Sequence, residues 1–85
     1  MSDYMPYFDQ TTIITNNALK KMRDYGLKHE VVRDAFNHPT KEEWSKIPGC
    51  KSYIKTRKED EVGVIAKQNE QGFWVIISVW WRKLF

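Results

Sequence analysis

Cysteine is almost missing from this 85-residue chain: Cys50 stands alone, so no disulfide can close within it. Histidine is nearly as scarce. His29 and His38 fall at opposite ends of one expected helix, and with a single Cys they cannot supply the four ligands of a structural zinc site. The four glycines build neither a phosphate-cradling loop nor a G-x-S-x-G turn, and no nucleophile has a base at motif spacing. Long apolar runs are absent too. The longest, Phe73 to Trp81, is interrupted by Ser78 and reaches about half of the ~20 residues needed to span a bilayer. No basic-then-apolar start with a small-residue cleavage site precedes Tyr4 or Pro6, so the expected location is cytoplasmic, with no membrane partner.

What is present is aromatic and basic. Four Trp, four Tyr and four Phe, within 41% hydrophobic residues, are enough for one core and one domain. The net charge of +3 is uneven. Residues 1–48 carry seven Lys/Arg and seven Asp/Glu, whereas residues 49–85 carry seven and four. The positive excess therefore lies in the C-terminal half, where it suits an acidic partner such as RNA and equally serves solubility.

Residues 1–12 show no sustained period and read as an N-terminal arm ahead of a domain over 13–85. The β-branched stretch Thr11 to Thr15 suggests a short extended lead-in. Ala18, Leu19, Met22 and Tyr25 recur at helical spacing before the stop at Gly26. Val31, Val32, Ala35 and Phe36 mark a second helix from about Lys28 to Asn37, ended by Pro39. Thr40-Lys41-Glu42-Glu43 has capping-box form and predicts one helical turn carrying Trp44. Beyond Gly49 the period becomes two. Ser52–Arg57, Val62–Lys67 and Phe73–Arg82 are then three strands whose short connections predict an antiparallel meander. The expected fold class is α+β, with two N-terminal helices packed on a C-terminal antiparallel meander. Apolar residues on both faces of the last strand predict that it is internal or covered. Trp81, Leu84 and Phe85 are expected to bury, at least partly, against the first helix or a second copy, so a homodimer is a candidate assembly.

Strand alternation from Lys51 to Lys58 places Lys51, Tyr53, Lys55 and Arg57 on one face. A basic face containing one aromatic fits a phosphate backbone with a stacked, unpaired base. It also fits a solvated outer strand whose lysines oppose aggregation. Cys50 reads as a reactive thiol or as a structural cysteine.

The run Ile14-Thr15-Asn16-Asn17-Ala18-Leu19-Lys20-Lys21-Met22-Arg23-Asp24-Tyr25-Gly26-Leu27 resembles the opening pattern I-T-x-H-A-x-x-R-M-x-x-R-G-[IL] of a small bacterial domain-of-unknown-function group. That group is related to the RelE/BrnT-like ribonuclease toxins. The similarity continues through Val32, Ala35-Phe36, Pro39, Tyr53-Ile54 and Val79-Trp80-Trp81-Arg82, over roughly residues 13–82. Asn17 replaces the pattern's histidine, Lys21 its first arginine and Tyr25 its second. An Asn side chain does not titrate and cannot act as a general acid or base.

The resemblance implies a RelE-like α+β domain and a metal-independent, cofactor-free toxin-type endoribonuclease acting on mRNA, neutralised by a cognate antitoxin. In such enzymes the RNA 2′-hydroxyl attacks the adjacent phosphate while basic groups stabilise the developing charge. By resemblance, Lys55 and Arg57 would contact phosphate, Tyr53 would stack a base, Arg82 would meet the transition-state charge, and Lys21 would assist. The other reading is a catalytically silent module of the same fold that binds RNA or protein.

Overall fold

The computed structural model describes residues 7–9 and 11–85. Two short strands, β1 (Tyr7–Asp9) and β2 (Thr12–Ile14), precede helices α1 (Asn16–Tyr25) and α2 (His29–Asn37). Four strands follow: β3 (Lys41–Trp44), β4 (Lys51–Thr56), β5 (Asp60–Gln68) and β6 (Trp74–Lys83). Helix α1 begins at Thr15, whose extended backbone lets its hydroxyl accept from the Ala18 amide at 3.1 Å. It ends at Gly26, which takes the left-handed conformation (φ 68°) that a side chain would resist.

The six described strands form one sheet in the order β1-β2-β6-β5-β4-β3. The stretch from β4 to β6 pairs antiparallel in sequential order, but the sheet as a whole is mixed, because β2 runs parallel to β6. This corrects the expected architecture of two helices on a purely antiparallel C-terminal meander. The N-terminal segment supplies two of the strands, and Tyr7–Asp9 and Thr12 lie inside the stretch read as an arm. The rest of that stretch, residues 1–6 and 10, lies outside the described residues, except for Thr11 in the turn between the two strands.

A second correction falls on Thr40–Glu43. No helical turn forms there. The Thr40 hydroxyl donates to the Ile54 carbonyl at 3.0 Å and accepts from the Thr56 amide at 3.0 Å, so it bridges to β4 and does not cap a helix. Lys41–Trp44 follows as an edge strand on β4, with every residue exposed, and Trp44 lies on the surface. The free backbone groups of β4 satisfy this segment better than one isolated turn would.

Both helices cover one face of the sheet. Val62, Val64, Ala66, Ile76, Val79, Ile14 and Tyr53 meet Ala18, Met22, Val32 and Ala35 in one buried cluster. Each fully buried Val or Ile contributes about 1.5–3 kcal/mol over its exposed state. Phe36, Tyr53 and Trp74 pack edge to face, with centroids 5.1–6.1 Å apart.

Strict alternation breaks once along β6. Ile65 pairs with Ser78 and Ala66 with Ile76, which leaves Ile77 as an extra residue in a β-bulge. The Ile77 carbonyl accepts from the Thr15 hydroxyl at 2.9 Å and from the Asn17 amide at 3.3 Å. The start of α1 is therefore tied to the bulge. Beyond it the faces of β6 change over, so that Trp74, Ile76, Val79 and Trp81 share the helix side while Val75, Ser78, Trp80 and Arg82 point to the open side.

Candidate nucleic-acid interface

Lys55 and Arg57 leave the end of β4 on the helix side, beside the C-terminal end of α2. Lys55 Nζ donates to the His38 carbonyl at 3.0 Å and pairs with Asp34 at 3.5 Å. Arg57 makes a bidentate contact with Asp60, both bonds at 2.7 Å, across the turn joining β4 to β5. Asp60 accepts a third bond, also at 2.7 Å, from the indole Nε1 of Trp81. The Arg57 guanidinium and the Trp81 indole together hold the Asp60 carboxyl down at about 2, and the same contact keeps Arg57 firmly charged. Lys83 is the direct cross-strand neighbour of Asp60. Lys55, Arg57, Lys83 and the 37%-exposed Trp81 thus share one rim.

The other expected site residues are dispersed. Tyr53 is 8% exposed and its ring packs on Phe36 and Trp74, leaving no face for a base. Burial, with Glu42 nearby, pushes its phenol above the usual range. Lys51 lies toward the other end of β4, over the Trp44 ring at 5.4 Å and 3.4 Å from Glu42. Lys21 is half-buried on α1, and Asn17 is exposed at its start. His29 stacks on Phe8 at 4.9 Å, while His38 closes α2, so the histidines are separate. Cys50 is buried.

Arg82 points to the open face. Its Nη2 donates to Glu61 at 2.6 Å, and Glu61 also accepts from the Thr56 hydroxyl at 3.1 Å. The Arg82 bond, and secondarily the Thr56 bond and Lys41, draw the buried Glu61 carboxyl below its ordinary value, against the opposing effect of burial. Arg82 and the Lys55–Arg57 pair therefore leave opposite faces of the sheet.

No sequence motif marks Trp81 as a neighbour of the Lys55–Arg57 pair. Its signal lies in the pairing of the last two strands, which puts Trp81 opposite Val62 and close to Asp60.

No family model matches this chain, nor does any curated protein or solved structure.

Among the described residues, no group of three or more His, Cys, Asp or Glu side chains could hold a metal ion, and no helix is long and apolar enough to cross a membrane.

Proposed function

We propose that the chain is a catalytically silent RNA-binding module that takes single-stranded RNA on the rim formed by Lys55, Arg57, Lys83 and Trp81. One observation carries this reading: the Arg57 guanidinium and the exposed Trp81 indole are held together by a single carboxylate, Asp60, in a fixed arrangement beside Lys55. Lys55 lies in β4 and Arg57 just beyond its end, two residues on and about 7 Å away along an extended chain, a separation at which each can meet a different phosphate. Trp81 offers a π-surface to a base beside them. Silence is favoured over toxin-type cleavage because Arg82 lies across the sheet, Tyr53 is in the core and Asn17 does not titrate.

The test is equilibrium binding of a labelled single-stranded RNA at several salt concentrations, with a cleavage assay on the same samples. Lys55→Ala with Arg57→Ala should weaken binding and flatten the salt dependence by about 0.7 for each phosphate that is no longer neutralised. No cleavage product should form. Cleavage by the unmodified chain would return the toxin-type ribonuclease reading, and absence of binding at low salt would reject RNA altogether.

A further inference from the structure

The open face of the sheet carries an aromatic in an unusual seat. Trp80 is the cross-strand partner of Gly63, and a Cβ placed on Gly63 would lie 2.0, 2.3 and 2.4 Å from three adjacent atoms of the Trp80 indole. The ring therefore occupies the space of the missing side chain and lies across β5, which no residue other than glycine permits. Neither described helix covers this face. Trp80 is half-buried, with part of its indole lying against the backbone of Gly63.

Cations flank the ring in both directions. Arg82 stands two residues along the same strand, and its side chain is 65% exposed although it donates to Glu61. That leaves other N–H groups of its fork available to an anion. Across the sheet, Gly63 neighbours Ile54, and Ile54 neighbours the exposed Lys41. Glu61 is bonded to Arg82 and to the Thr56 hydroxyl, and two exposed carboxylates stand further off: Glu43, two residues along β3 from Lys41, and Glu59, whose carbonyl accepts from the Leu84 amide.

We infer that this face is a second RNA-contact site, in which an unpaired base stacks on the outer surface of Trp80 while Arg82 and Lys41 take the adjoining phosphates. The inference rests on the RNA-binding reading and extends it to the opposite side of the sheet. A flat ring fixed against a strand is a stacking platform that loses little side-chain freedom on binding. Cations on two sides then select a base carrying phosphate over an uncharged ring.

The experiment uses the full chain and a short single-stranded oligoadenylate containing one 2-aminopurine. Trp80→Leu keeps an apolar cover over β5 but removes the π-surface, and should weaken binding about tenfold. Trp80→Phe, which keeps a ring, should lose less than about threefold. Stacking quenches 2-aminopurine, so quenching should survive Trp81→Leu in part and fall with Trp80→Leu. Circular dichroism establishes that each variant is folded. Should Trp80→Leu not fold, the exposed Lys41→Ala decides the matter, with an expected fall of about 0.7 in the salt slope.

If Trp80→Leu and Lys41→Ala bind as the unmodified chain does while Lys55→Ala with Arg57→Ala binds weakly, the open-face site is rejected and the rim reading stands. If the unmodified chain binds no RNA, both fall. A dimer in RNA-free solution that Trp80→Leu dissociates would also overturn the inference, giving this face to a second copy of the chain.

Discussion

The two faces of the sheet are made by the same strands but stabilised by different means. On the helix side, Val62, Val64, Ile76 and Val79 are sealed by α1 and α2, and polar groups such as Lys55, Arg57 and Asp60 reach solvent at the rim. On the open side neither helix lies over the strands, and the residues shield one another. Trp80 lies over Gly63, while Arg82, Thr56 and Thr40 form a polar chain around Glu61. Burial on the first face is volumetric, and pH reaches it through Asp60 at the rim. On the second it depends on one indole and one buried carboxylate, so the faces should respond differently to the same class of change.

The sharpest test of that difference compares Ile76→Ala with Ile65→Ala, one isoleucine from each face. Ile76 is fully buried beneath the helices, and its truncation should cost about 2–5 kcal/mol. Ile65 is only half-buried, and its loss should cost less, about 1–2 kcal/mol. Urea unfolding monitored by circular dichroism measures both, and equal costs would mean that something covers the open face.

Next in size is Gly63→Ala. The added methyl group must displace the Trp80 indole, for about 1–3 kcal/mol. In a Trp80→Leu background the same change should be close to neutral, because the obstructing ring is gone. The double-mutant cycle then isolates the contact. A Gly63→Ala cost that survives removal of the ring would place its origin in the backbone.

Acid should weaken the rim. The folded Asp60 carboxyl titrates at about 2, below its ordinary value of 3.8, so its pairing stabilises the fold fully above about pH 4 and is lost as pH falls toward 2. Glu61 is shifted the same way and adds to the loss in acid. Trp81→Phe removes one of the two donors to Asp60 and raises its pKa. This should reduce the stability lost between pH 4 and pH 2 by up to about 1 kcal/mol, since the group is partly screened. Unfolding midpoints across that range give the slope.

How much of this was legible follows from element length. The two helices and the run from β4 to β6 announce themselves because each is long enough to show a period. β1, β2 and β3 have three or four residues each, too few for any period to emerge, and β3 has no apolar alternation at all. Its strand state comes from the edge of β4. The parallel contact of β2 with β6 joins residues about 62 apart, as in the bond between Thr15 and Ile77, and no local pattern encodes it. The bulge at Ile77 then exchanges the faces expected for Val79, Trp80 and Trp81 relative to the start of the strand. For the same reason the site was half legible. The adjacency of Lys55 and Arg57 follows from alternation, whereas their carboxylate partners come from α2 and the next strand. The expected burial of the C-terminal residues also depended on what covers them. Trp81 and Leu84 are each 37% exposed and Phe85 is 87% exposed.

The smallest stability effect should accompany a clear change in binding, and it comes from Asp34. This residue is exposed on α2 and pairs with Lys55 across 3.5 Å, a long and solvated ion pair. Such pairs contribute between about 0 and 1 kcal/mol, so Asp34→Asn should move the unfolding midpoint hardly at all. Its carboxylate nevertheless competes with any phosphate for the same ammonium, and in the unmodified chain Lys55 must exchange one anion for another. Replacing Asp34 by its neutral isostere removes that competitor while Lys55 keeps its bond to the His38 carbonyl, so the ammonium stays in place. RNA affinity at low salt should therefore rise by about three- to tenfold, with the salt slope steepened by up to about 0.7. The matched change Glu43→Gln, on the exposed open-face side of β3, should leave the rim contact unaffected and reveal whether Trp80 and Lys41 act in the same binding event. An Asp34→Asn variant with unaltered affinity would mean that Lys55 is a structural tether between β4 and α2, and the phosphate contacts would then fall to Arg57 and Lys83.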